Sequence, residues 1–94
     1  MIHAIVCGGS QGKAVVYGEC DALPVPGEPY TLRNARMVLR WSTECGGLFG
    51  LAASGPKGDT RLTSAVAVVS DEAARQVLSV SADAVAAFAA WPAS

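Results

Sequence analysis

Four arginines are the residues whose type and spacing best suit a chemical role. Arg33, Arg36 and Arg40 lie close together, and Arg61 begins a later apolar segment. A guanidinium is planar and permanently charged, and its N–H donors match the oxygens of a phosphate. The arrangement predicts binding of a phosphate-bearing anion. The alternative is that these arginines are solvated on a sheet face or form salt bridges between subunits.

Polar and aromatic neighbours complete the candidate site. Asn34 carries an amide that can both donate to and accept from the edge of a base. Tyr30 and Trp41 flank the arginines in sequence, and their rings could stack on a base. The candidate ligand-binding residues are therefore Tyr30, Arg33, Asn34, Arg36, Arg40, Trp41 and Arg61.

Other motifs give weaker support for chemistry. Residues 8–13 superficially resemble a phosphate-binding loop, but Cys7 occupies the position of its first glycine and Ala14 that of its Ser or Thr. We predict a hairpin turn there. His3 has no carboxylate near it in sequence, and Cys45 has no nearby histidine. We therefore expect no catalytic residues and no enzyme activity.

The cysteines argue against a metal site and for a reducing compartment. Cys7, Cys20 and Cys45 are odd in number and contain no C-x-x-C pair. This pattern is typical of free thiols in the cytosol. No spacing of His and Cys matches a zinc site, so we expect no metal and no cofactor.

Composition and charge limit the possible partners. The 94 residues form one domain, 1–94, with 51% hydrophobic content that includes 17 alanines. Alanine buries little apolar area, so the hydrophobic core of such a chain is small. A small core favours a homo-oligomer, in which further apolar surface is buried between subunits. The net charge is −1, although residues 30–61 carry +3. With no lysine-rich patch and no run of about 18 apolar residues, we expect neither polymeric nucleic acid nor a membrane as partner.

Hydrophobic periodicity predicts an α+β domain. Strands are expected over residues 2–7, 13–20, 30–41 and 62–69, with a proline-rich loop at 22–29. Leu32 and Ala35 are out of phase by one residue, which a bulge at Asn34 would repair. Helices are expected over 47–54 and over 82–91. A further helix is expected to begin at Ser70-Asp71-Glu72, which resembles an N-terminal cap, and to continue through residue 78. The expected fold is a sheet of about four antiparallel strands with helices packed on one of its faces.

The segment 30–42 resembles a family of small phage-encoded proteins. Their shared core, Leu-x-Asn-Ala/Ser-Arg followed by apolar residues and Trp, appears here as Leu32, Asn34, Ala35, Arg36 and Trp41, and the similarity extends to about residue 73. This family is similar to the type four anti-CBASS sponges. The resemblance implies a homotetramer in the host bacterial cytosol that sequesters cyclic dinucleotides, such as 3′,3′-cyclic GMP–AMP, without cleaving them.

The leading hypothesis is therefore a viral immune-evasion protein that binds a cyclic dinucleotide and blocks CBASS signalling. Strand alternation separates Arg36 and Arg40 from Trp41, so a shared pocket needs the bulge or a neighbouring subunit. The alternative is a phage accessory or structural oligomer, or a protein-interaction module, with no nucleotide ligand. A small phosphodiesterase or nuclease is the enzymatic rival.

Overall fold

A computed structural model describes residues 2–8 and 14–93 of the chain. The predicted α+β class is confirmed, with six strands in the described residues rather than about four. The predicted turn after Gly8 lies outside the described residues. The elements are β1 (Ile2–Gly8), β2 (Ala14–Cys20), β3 (Tyr30–Arg40), α1 (Gly47–Ser54), β4 (Arg61–Leu62), β5 (Val66–Asp71), β6 (Ala74–Ser79) and α2 (Ala82–Ala90), with a short 3-10 turn at Thr43–Cys45.

The strands form one antiparallel sheet in the order β4-β3-β2-β1-β6. β5 also pairs antiparallel with β3. It pairs with residues 30–35 of β3, whereas β4 pairs with residues 38–40. The hairpin predicted from the first two apolar segments is confirmed, since β1 and β2 pair in continuous register from Ile2 opposite Cys20 to Gly8 opposite Ala14. β3 therefore lies inside the sheet, with β2 on one side and β4 and β5 on the other.

The bulge predicted at Asn34 is confirmed. Tyr17 of β2 faces Arg36 of β3, but Glu19 faces Arg33, so β3 holds one residue more than β2 between these pairs. Asn34 has φ 48, in the left-handed region that asparagine tolerates better than most non-glycine residues. The extra residue brings Leu32 and Ala35 into the same buried cluster, which is the phase correction that the sequence required.

Apolar side chains on the two faces of the sheet form two separate cores. On one face, Ile5 and Tyr17 pack with Leu51 of α1 and Phe88 of α2. On the other face, a second cluster includes Val6, Val16, Leu32 and Ala35, and no helix residue belongs to it. Packing of the helices on one face of the sheet is thus confirmed. Within residues 2–8 and 14–93, no helix is long and apolar enough to span a membrane.

The predicted starts of two helices are correct, whereas two other predicted elements differ from the structure. α1 begins and ends where expected, and α2 starts after Ser81, whose hydroxyl accepts from the Ala84 amide at 3.1 Å. The strand expected over 62–69 is interrupted at residues 63–65, between β4 and β5.

The helix expected from Ser70 through residue 78 is wrong, because β6 occupies most of that segment. β6 pairs with the outer edge of β1, where Leu78 faces Ile5. Asp71 ends β5, and its carboxylate accepts from the Glu72 amide at 2.7 Å. The residues that resemble a helix cap therefore form a turn between two strands. Pairing with the free β1 edge outweighs the local signal.

Candidate functional site

The structure divides the seven candidate residues into separate groups. Tyr30 is not placed to contact a ligand. It is only 5% exposed and packs in the core cluster on the face of the sheet away from the helices. Burial also raises the pKa of its phenol. Its ring therefore has no open face on which a base could stack.

One group lies in a cleft of about 380 Å³ between the bulge and α2, here named the bulge cleft. It contains two of the predicted residues, Asn34 and Arg36. Its other polar and aromatic lining residues are His3, Tyr17, Glu19, Ser64 and Phe88. The volume is within the range of small-molecule pockets, about 300–1,000 Å³.

Arg36 has a structural role in this cleft. Its Nε donates to the Thr63 carbonyl at 2.8 Å and its Nη1 to the Phe88 carbonyl at 2.8 Å. Phe88 lies near the C-terminus of α2, where the helix dipole favours a cation. The side chain therefore joins β3 to the segment between β4 and β5 and to the end of α2. The third nitrogen of the guanidinium, Nη2, has no partner among the described residues.

Sequence reasoning missed Glu19 and dismissed His3, which the hairpin register brings together. His3 faces Glu19 across β1 and β2, and His3 Nε2 lies 3.7 Å from Glu19 Oε2. Asn34 Nδ2 donates to Glu19 Oε1 at 3.0 Å. The bulge thus aims the Asn34 amide at a carboxylate that is paired with His3 of β1 on one side and with Arg33 of β3 on the other. Counting the register across the predicted hairpin was the signal that could have revealed this pair.

A stack of aromatic rings forms one wall of the cleft. The His3 and Tyr17 rings are stacked with centroids 5.8 Å apart, and Tyr17 stacks on Phe88 at 3.9 Å. Burial raises the pKa of Tyr17 to about 12, with a smaller contribution from the negative charge of Glu19. The Tyr17 hydroxyl therefore remains protonated at neutral pH and can act as a hydrogen-bond donor.

The second group is at the far end of β3, and we name it the basic end: Arg40, Trp41 and Arg61. Arg40 and Arg61 are paired positions of β3 and β4, at a point where the register of the two strands shifts after Val38 and Leu62. Arg40 Nη2 contacts Asp59 Oδ2 at 2.8 Å, in a salt bridge whose two side chains are more than half exposed. Trp41 is 37% exposed. Arg61 has no carboxylate partner within the described part of the chain.

Arg33 is paired and lies away from the basic end. Its Nη2 donates to Asp21 Oδ1 at 2.9 Å, and this hydrogen bond holds the pKa of the Asp21 carboxyl below its usual value. At about 3.3 Å per strand residue, Arg33 and Arg40 are about 20 Å apart. One copy of the chain therefore does not bring all the predicted arginines to one ligand.

Potential metal ligands are scattered in the part of the chain that the structure describes. No three or more His, Cys, Asp or Glu residues there are grouped so as to hold a metal ion. The three cysteines, Cys7, Cys20 and Cys45, are buried and unpaired with one another. Burial raises the pKa of the Cys7 and Cys20 thiols, which lowers the fraction of reactive thiolate.

The comparisons with known proteins assign a family and leave its activity open. Residues 1–88 match a family model described as "Domain of unknown function (DUF6948)". No curated protein and no solved structure matches the chain.

Proposed function

We propose that this chain, which belongs to the DUF6948 family, binds and sequesters a cyclic dinucleotide second messenger without cleaving it. The ligand class, with 3′,3′-cyclic GMP–AMP as an example, follows from the phage-family resemblance, as do the anti-CBASS role and the host bacterial cytosol. The observation that carries the proposal is the basic end, where two arginines occupy paired positions of neighbouring strands and a partly exposed indole follows one of them in sequence.

The charges at the basic end favour an anionic ligand. Arg40 and Arg61 occupy paired positions of neighbouring strands at a register shift, and like charges brought close together on neighbouring strands repel each other. Asp59 offsets only part of this charge. An exposed salt bridge contributes little free energy, about 0–1 kcal/mol, so a phosphate can displace Asp59 at low cost. A bound phosphate would relieve the repulsion that the folded protein otherwise retains.

Trp41 supplies the second element of nucleotide binding. It follows Arg40 directly and remains partly exposed. Stacking of a base on an aromatic side chain contributes about 1–3 kcal/mol. Because strand alternation separates Arg40 from Trp41, phosphate contacts from Arg40 and Arg61 and stacking on Trp41 would be shared between copies of the chain. Together they would give affinity without any acid or base catalyst, which is what sequestration needs.

Exposed apolar side chains support the homo-oligomer, proposed as a tetramer. Met37, Leu39, Val66 and Val68 are each at least 42% exposed. Beside them lies a groove of about 350 Å³ lined almost wholly by apolar atoms, including those of Val16. Contact between copies through this region would bury it. A two-fold axis at such a contact would present a pair of basic ends to a symmetric ligand.

A ligand panel with matched variants tests the proposal. Purified protein is heated with cyclic mono-, di- and trinucleotides, the shift in melting temperature is recorded, and the ligand is then recovered and its integrity measured. We expect a large shift with a cyclic dinucleotide and its intact release. Arg40→Ala/Arg61→Ala should abolish the shift, whereas Arg75→Ala, an exposed arginine on β6, should retain it.

Each contrary result selects another function. No shift with any cyclic nucleotide contradicts sequestration and favours the accessory or structural oligomer. Degraded ligand contradicts the non-enzymatic proposal and favours a phosphodiesterase. Loss of the oligomer in Arg40→Ala/Arg61→Ala, measured by light scattering, would show that these arginines are interface residues rather than ligand contacts.

A further inference from the structure

We infer that the bulge cleft binds a planar heterocycle with two adjacent N–H donors on one edge and acceptors on the next edge. Among the nucleobases, guanine has this pattern. The inference rests on the proposed function, because it assigns one base of the sequestered ligand to this cleft. It adds a base-specific site to a chain whose basic end would contact mainly phosphate.

The cleft displays polar atoms that the protein leaves without partners. Glu19 Oε2 is 3.7 Å from His3 Nε2, which is beyond hydrogen-bonding distance. Among residues 2–8 and 14–93, neither Arg36 Nη2 nor the Tyr17 hydroxyl has a hydrogen-bond partner. These atoms are open to solvent, because no buried side-chain nitrogen or oxygen among the described residues lacks a partner. A bound ligand would satisfy an acceptor and two donors at once.

The spacing of the charged groups fits guanine. Arg36 faces Tyr17 across β2 and β3, and Glu19 is two residues further along β2. The bulge lies between these two positions, and both side chains line the cleft, so a base edge can enter between them. The Glu19 carboxylate only accepts, and it matches the N1–H and N2–H donors of guanine. Arginine is a usual donor to the acceptors of guanine, and Arg36 has one nitrogen, Nη2, left to donate to O6 because Nε and Nη1 donate to backbone carbonyls.

Adenine lacks this match. Its N1 is an acceptor and would face the Glu19 carboxylate, which has no proton to donate when it is ionised. The exocyclic amine of adenine would likewise face Arg36, which has only donors. The same two residues that favour guanine therefore disfavour adenine, and discrimination arises from both attraction and repulsion.

The walls of the cleft are suited to a flat ring. His3 forms the outer member of the aromatic stack with Tyr17 and Phe88, and histidine is among the side chains on which nucleobases stack. The Asn34 amide fixes Glu19 from the opposite side at 3.0 Å. The φ of 48 at Asn34 is the backbone cost of that orientation, and such costs concentrate at functional sites.

Titration calorimetry with cyclic di-GMP and cyclic di-AMP tests the assignment. We expect the wild-type protein to bind cyclic di-GMP at least about tenfold more tightly. Glu19→Gln, which can still accept from Asn34 but replaces one acceptor with a donor, should lose that preference. Glu28→Gln, a matched change in the exposed loop before β3, should retain it. Equal affinities in the wild type, or an unchanged preference in Glu19→Gln, would overturn the inference.

A blocking variant locates the binding in the cleft. Ala89 lines the cleft from α2, whereas Ala86 is exposed on the same helix and does not line the cleft. Ala89→Trp should reduce cyclic di-GMP affinity about tenfold or more, and Ala86→Trp should leave it unchanged. Equal affinities in the two variants would show that the base binds elsewhere.

Failure of the proposed function gives a different result from failure of the cleft assignment. Binding of both cyclic dinucleotides without preference leaves sequestration intact and removes the guanine site. If neither binds, sequestration is contradicted, and guanosine monophosphate then tests the cleft alone by nuclear magnetic resonance. Shifts of the Glu19 and Asn34 amides with guanosine monophosphate, absent with adenosine monophosphate, would support the cleft, and no shifts would overturn it.

Discussion

Arg36 and Arg40 are four residues apart on one strand, yet their surroundings differ in kind. Arg36 is held by two backbone carbonyls from distant segments and lines a cleft. Arg40 is exposed, contacts one carboxylate at 2.8 Å and faces a second arginine. The bulge cleft is thus a preorganised pocket whose arginine also stabilises the fold. The basic end is an exposed cluster whose charge is only partly offset.

The difference shows that arginine type and spacing alone do not define a ligand site. An arginine that satisfies buried carbonyls contributes to folding, and its removal affects every activity of the protein. An arginine in an exposed salt bridge is available to a ligand because its present partner contributes little. Substitutions at the two regions should therefore separate effects on stability from effects on binding.

Arg36→Ala should give the largest effect on stability. It removes two charge-assisted hydrogen bonds and leaves the Thr63 and Phe88 carbonyls without them, so we expect a loss of about 2–3 kcal/mol in the free energy of unfolding. Urea denaturation measures the loss, with Arg40→Ala as the matched control. Wild-type stability in Arg36→Ala, with ligand binding lost, would show that Arg36 acts on the ligand rather than on the fold.

Asn34→Ala should give the next largest effect. Alanine at φ 48 is disfavoured by about 1–2 kcal/mol, and the hydrogen bond to Glu19 is lost. Asn34→Gly loses the same hydrogen bond but adopts this φ freely, so it should be the more stable of the two variants. Thermal unfolding of both variants checks the order. Equal melting temperatures would show that the left-handed backbone is not what constrains this position.

Tyr17 should make stability depend on pH only in alkaline solution. Its pKa is about 12 in the folded protein and about 10 in an unfolded chain. Its contribution is therefore complete below pH 10 and declines as the pH rises through 12, because the unfolded chain loses the proton first. Tyr17→Phe should decline less steeply over this interval in urea denaturation. Identical slopes would contradict the burial of this hydroxyl, since Tyr30 is present in both proteins.

Arg61→Ala should change stability least, by no more than about 0.5 kcal/mol. It removes the like-charge pair with Arg40 as well as a cation, so a small gain is the expected direction. Binding of the cyclic dinucleotide should nevertheless weaken, which a thermal shift with and without ligand measures. A marked loss of stability without ligand would assign Arg61 a structural role and remove the contrast with Arg36.

The features that sequence analysis predicted correctly depend on local patterns. The phase slip between Leu32 and Ala35 indicated the bulge, and the segment from Gly47 to the Gly55-Pro56 stop indicated α1. β6 was missed because its strand conformation depends on pairing with β1, to which the local Ser-Asp-Glu signal gives no clue.

The bulge cleft was missed for a related reason. His3 and Glu19 are far apart in sequence, and only the hairpin register makes them neighbours. Likewise, nothing local shows that Arg36 binds carbonyls of residues 63 and 88. Residue type identified the arginines correctly as the charged groups of interest, but long-range contacts decide which of them a ligand can reach.

Calorimetric titration of 3′,3′-cyclic GMP–AMP into wild-type protein and into Arg40→Ala/Arg61→Ala tests sequestration at the basic end most directly. We expect tight, stoichiometric binding to the wild type, recovery of the intact ligand, and loss of binding in the double variant with unchanged folding. Absence of binding to the wild type, or equal binding to both proteins, would contradict sequestration at the basic end.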